Sequence, residues 1–110
     1  MDAFAGGYSV LASFPFTALS DLKPRPAFVA GLVGGHDLLL CMVTSHAYND
    51  PHAIPVPEAD FHSGGLLINC AVRPRHLFTG STSIIRKKTG SFTPDFTRRI
   101  KDTLVHWLAP

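Results

Sequence analysis

A small, mostly β barrel with one C-terminal helix is the architecture this chain predicts, on three observations. Short runs of strand-forming residues recur between turns rich in glycine, proline and asparagine. One run, Leu38–Val43, is continuously apolar, as a strand buried on both faces must be. Finally, Thr93-Pro94-Asp95 opens a stretch whose apolar residues keep helical spacing as far as Trp107. At 110 residues the chain fits one domain with one core. Residues 1–7 read as a flexible tail and residues 8–110 as the single domain.

The elements follow in order. Tyr8–Phe14 is rich in strand formers and reads as the first strand, which Pro15 ends. Thr17–Pro24 is a polar surface loop. Pro26 biases Arg25 toward an extended backbone, so the arginine stands at the head of a second strand, Ala27–Val33. Gly34-Gly35 supplies a hairpin turn, and His36–Ser45 a central third strand. Ile54–Val56 reads as a short edge strand, Ser63-Gly64-Gly65 as a turn and Leu66–Val72 as a fourth strong strand. Arg73–Thr82 reads as a basic, turn-bearing connector, and Ser83–Thr89 as a strand that Gly90 ends. The helix begins with a hydroxyl cap at Thr93, proline at its first position and an acid near its positive end. Phe96, Ile100, Thr103, Leu104 and Trp107 share one face, with Arg98, Arg99, Lys101 and Asp102 largely on the other.

Composition narrows the function classes. A hydrophobic fraction of 45% excludes wholesale disorder. The longest apolar run is far too short to span a bilayer, and Met1–Gly7 lacks the charge and apolar stretch of a signal peptide. A soluble, cytoplasmic protein is the expectation, in keeping with Cys41 and Cys70 as buried, reduced thiols. The net charge of +2 hides an asymmetry. Residues 1–72 carry two basic and six acidic side chains, a net −4; residues 73–110 carry eight and two, a net +6. A basic C-terminal third suits a polyanion or an acidic protein partner, and equally a solvated helix face.

Several residues have the chemistry to act on a phosphate. Arg25 carries a permanent charge and a planar fork that grips phosphate through paired hydrogen bonds; the same residue also suits a surface arginine capping a strand. Thr44 and His46 share a strand face at the end of the third strand, beside Ser45. Thr44 is a donor for a phosphate oxygen and His46 an acid or base near neutral pH; a polar strand end needs neither role. In Arg86-Lys87-Lys88, alternation sets Arg86 and Lys88 on one face, as phosphate contacts or as charges guarding a sheet edge. The six histidines show no metal-ligand spacing, so no metal or other cofactor is expected.

Taken together, Phe14-Pro15-Phe16-Thr17, then Arg25-Pro26-Ala27-Phe28-Val29 after seven residues, resembles the N-terminal signature of the PemK/MazF toxins of bacterial type II toxin–antitoxin systems. Val43-Thr44-Ser45-His46 resembles their strand-ending motif, and Arg73–Thr79 with Ser83–Lys87 their late segment. The resemblance spans roughly residues 7–108. It implies an SH3-like barrel of the CcdB/MazF type, a homodimer and a cognate acidic antitoxin. The implied activity is metal-independent, sequence-specific cleavage of single-stranded mRNA, in which the RNA's own 2′-hydroxyl attacks the adjacent phosphate. Arg25 and Thr44 are then the catalytic pair, with Thr17, Ser20, Lys23, Ser45, His46, Arg73 and Arg86 holding the substrate. Two positions depart from the family pattern: Tyr8 and Ala18 stand where acids are common. The alternative they leave open is a catalytically weakened barrel that binds antitoxin or RNA.

Overall fold

The structure, a computed structural model, describes residues 5–13, 24–45, 50–57, 61–64 and 70–109, with residues 61–64 described by their backbone. These form β1 (Tyr8–Ser13), β2 (Pro24–Gly34), β3 (Asp37–Thr44), β4 (Ile54–Pro55), β5 (Phe61–Gly64), β6 (Ala71–Ser81), a 3₁₀ turn (Thr82–Ile84), β7 (Ile85–Phe92) and α1 (Pro94–Leu108). The strands make one antiparallel sheet in the order β4-β6-β3-β2-β1-β7-β5. The molecule measures 31 × 30 × 30 Å, so the sheet coils on itself instead of lying flat. No pairing joins β4 to β5 among the described residues, which leaves the barrel open.

Two apolar clusters lie on opposite faces of the sheet. On one, Phe28, Cys41, Val43, Val72 and Phe92 meet Phe96, Ile100 and Leu104 of α1. On the other, Val10, Ala27, Val29, Leu38 and Leu40 are covered by Tyr8, Phe78, Ile84 and Ile85. β3 feeds both clusters, which is why its apolar residues are consecutive. At the β2–β3 hairpin, Gly34 and Gly35 take φ of 132° and 58°, values that side chains resist. Ile54–Pro55 sits at the sheet edge against β6.

α1 starts as its sequence dictates. The Thr93 hydroxyl accepts from the Phe96 N–H at 3.2 Å, and Pro94 opens the helix. Phe96 stacks on Phe92 at 5.3 Å between ring centroids, and Phe92 meets Phe28 at 5.3 Å. Gly7, expected in the tail, belongs to the sheet: its N–H donates to Val29 and its carbonyl accepts from Phe92. Its φ is 96°, and a Cβ there would meet Thr97 Oγ1 at 2.7 Å, so only glycine fits. Residues 1–4, the Phe14–Lys23 segment, Gly65 of the expected turn and residues 66–69 of the expected fourth strand lie outside the described residues.

Four expectations are corrected. The Arg73–Thr82 connector is strand for most of its length: it continues β6 to Ser81. Pro74 misled the reading. It is fully buried in a register shift between Cys41↔Leu77 and Met42↔Arg73, where it owes the ladder no N–H. Ser63 and Gly64, read as a turn, belong to β5. Gly90 does not end a strand: it lies inside β7, paired with Ser9 on one side and Gly64 on the other. Ser83 and Ile84 are in the 3₁₀ turn, where Ser81 Oγ accepts from the Ser83 N–H.

The cap and the helix core carry measurable stability. Thr93→Ala is expected to cost about 1 kcal/mol, and Ile100→Ala about 2–5 kcal/mol. Urea unfolding checks both: the midpoint falls while the slope is retained.

Candidate active site

Arg25 is the second residue of β2 and pairs with Ala12 of β1. The β2–β3 register sets Ala27 against Met42 and runs on toward Arg25 and Thr44, two residues further along each strand. By alternation Arg25 shares a face with Ala27 and Val29, and Thr44 with Met42 and Leu40. That face carries the second cluster and lies opposite α1. Both residues are partly buried. Ser45 follows Thr44 and is exposed.

Two more arginines stand at the same end of the sheet. Arg73 of β6 lies opposite Met42, and its Nη1 approaches Met42 Sδ at 3.7 Å. Its Nε donates to Asp50 Oδ2 at 2.8 Å. Arg86 of β7 donates through Nε to Ser13 Oγ, at the end of β1, at 2.8 Å. Arg25, Arg73 and Arg86 therefore come from three strands, each near the end of the sheet where β1 and β3 end and β2, β6 and β7 begin. Thr17, Ser20, Lys23 and His46 lie outside the described residues.

Asp50 and Ser13 were not foreseen from sequence. Arg73 binds Asp50 across 23 positions, and no spacing rule joins them. The hydrogen bond from Arg73 is the largest cause of a lowered Asp50 pKa; the backbone N–H of His52 adds to it, and burial opposes it. The carboxylate stays ionised and fixes the direction of the guanidinium.

The expectation that Arg86 and Lys88 share a face assumed unbroken alternation. Register shifts interrupt β7: Lys88 opposes Val10, Lys87 opposes Leu11 and Ile85 opposes Ala12, leaving Arg86 with no counterpart on β1. As the bulged residue it swings to Ser13. Lys88 instead sets its ammonium 3.7 Å from the centre of the Tyr8 ring. Tyr8, one of the two departures from the family pattern, thus offers a π face where an acid was expected.

Burial disfavours the thiolate at both cysteines. Burial pushes the Cys41 thiol up to about 12 and raises Cys70 as well, and both are free. No group of three or more metal-binding side chains exists among the described residues, and no helix there is long and apolar enough to cross a membrane.

The Asp50–Arg73 pair has a signed pH signature. Because the folded pKa of Asp50 is lowered, its contribution is present above the ordinary carboxylate value and is lost as pH falls through the folded value. Asp50→Asn is expected to lower stability at pH 7 by about 1 kcal/mol or less. The gap to the native chain should close as pH falls below the ordinary carboxylate range, as read by urea midpoints across a pH series.

No protein-family model and no curated protein sequence matches the chain. Solved structures do match. An endoribonuclease in complex with its cognate antitoxin, from a mycobacterial species, superposes over 98% of this chain and 95% of its own, at 15% identity and a TM-score of 0.72. MazE–MazF from Deinococcus radiodurans covers 99% and 98%, at 19% identity and a TM-score of 0.73. MazF from the same organism covers 96% of each chain at 21% identity, with a TM-score of 0.69. The open barrel with its C-terminal helix is therefore the MazF fold.

Proposed function

We propose that the chain is the toxin of a toxin–antitoxin pair and an endoribonuclease cutting single-stranded mRNA at short specific sequences. The observation that carries this reading is the placement of Arg25 and Thr44 on neighbouring strands, each two residues beyond the Ala27–Met42 pair, in a MazF-type sheet. Arg73, paired with Asp50, and Arg86, bonded to Ser13, lie toward the same end of the sheet and are proposed as further charges for a phosphate backbone.

In the proposed reaction the RNA 2′-oxygen bonds to the adjacent phosphorus and the bond from phosphorus to the 5′-oxygen breaks. The proton leaves the 2′-oxygen and one is gained by the departing 5′-oxygen. Negative charge builds on the pentavalent phosphorus centre between these events. Arg25 faces that charge as a permanent cation, and Thr44 donates to a non-bridging oxygen. Thr17, Ser20, Lys23, Ser45 and His46 complete the proposed substrate contacts. The unpaired strand is read with its bases splayed. No metal or cofactor enters these steps.

MazE–MazF complexes among the structural neighbours support a cognate acidic antitoxin, and small size supports a homodimer. The second reading, a binding barrel with weakened cleavage, draws on Tyr8, whose ring is engaged with Lys88 where an acid was expected.

Expression without antitoxin should arrest growth and fragment RNA. Arg25→Ala should slow cleavage about 10²- to 10³-fold with an unchanged fold, and EDTA should leave the rate intact. Intact RNA and full growth with the native chain would reject catalysis, and loss of cleavage on chelation would reject the metal-free route.

A further inference from the structure

β6 departs from β3 for three residues. Between Met42↔Arg73 and Cys41↔Leu77, the residues Pro74, Arg75 and His76 face no partner on β3. Pro74 is fully buried and anchors the excursion, whereas Arg75 and His76 are exposed. The Arg75 guanidinium carbon lies 5.2 Å from the centre of the Trp107 ring. Trp107 is half-buried against the helix-side cluster and is the single tryptophan of the chain.

This excursion begins directly after Arg73, which stands opposite Met42, itself two residues from Thr44. On its outer side β6 pairs only with β4, through Ala71 and Val72, among the described residues. From Arg73 onward the strand is therefore a rim between the Arg25–Thr44 face and the α1 face.

We propose that Arg75, backed by Trp107, is a stacking platform for a base flanking the scissile phosphate of single-stranded RNA; the proposal rests on the endoribonuclease reading above. An unpaired base has two flat faces to remove from water, and aromatic rings and guanidinium planes are the surfaces that take them. The indole holds the guanidinium through cation–π attraction, and the outer face of the guanidinium remains the stacking surface. The same positive charge meets the neighbouring phosphate. A role as a mere strap between helix and sheet is already filled by Phe96, Ile100 and Leu104, which seat α1 in the core.

The single tryptophan makes the test direct. The probe is a 14-nucleotide 2′-O-methyl single strand of randomised sequence, which lacks the attacking hydroxyl. It is followed by anisotropy when labelled and by Trp107 emission when unlabelled. The expected result is binding accompanied by a saturable emission change with the same midpoint. Arg75→Ala should weaken binding by about 5- to 100-fold, and Arg75→Lys, which keeps charge but loses the plane, should weaken it too. Thermal melts establish that these variants fold; should Arg75→Ala fail to fold, Arg75→Gln takes its place. Binding with unchanged emission, or native affinity in Arg75→Lys, overturns the platform and leaves the nuclease reading standing. No binding of this pool by the native chain overturns the platform, while the nuclease reading is judged separately by RNA cleavage. An emission change with polyglutamate but not with the oligonucleotide assigns the surface to an acidic protein and overturns the proposal.

Discussion

The register of β2 on β3, with Ala27 against Met42, is the constraint on which the rest depends. A slip of one residue would turn Arg25 toward the α1 side and push Phe28 out of the core. Three features hold it. Gly34-Gly35 sets the hairpin, Phe28 and Cys41 are buried on one face, and Val29 and Leu40 are buried on the other. Pro26 then keeps β2 extended through Arg25. The hairpin and the burial on both faces together therefore decide where a guanidinium stands at the far end of the strand.

The charge asymmetry of the chain acquires a geometry in the fold. β6 and β7 carry most of the basic residues of the C-terminal third and flank opposite sides of the β3-β2-β1 centre. Arg73 lies opposite Met42 of β3, and Arg86 is bonded to Ser13 at the end of β1. Each is oriented by a different neighbour: Arg73 by a carboxylate and Arg86 by a hydroxyl. Lys88 is turned aside by the Tyr8 ring. The same basic sequence thus divides into charges held at the sheet end and charges held elsewhere.

Much of the fold was legible, for local reasons. The Thr93 cap, the Gly34-Gly35 hairpin and the two-sided burial of β3 follow from residue type and period over a few positions. β6 was misread because a buried proline in a bulge looks, in sequence, like a strand terminator. Gly90 looked like a stop because its pairing on both sides comes from distant strands. At the candidate site, Arg25 and Thr44 were marked by their motifs. Asp50 was hidden, because a partner 23 residues away is set by the fold and not by spacing. Arg75 and Trp107 were likewise separate entries in a charge run and a helix stripe until the bulge joined them.

The two cysteines carry a last consequence. Cys41 sits wholly out of water in a central strand, and its proton is held so firmly that thiolate is scarce even in alkaline solution. Peroxide and thiol-directed reagents meet no accessible sulfur at Cys41 while the chain is folded. Sulfur labelling at this position therefore becomes a clock for unfolding of the chain.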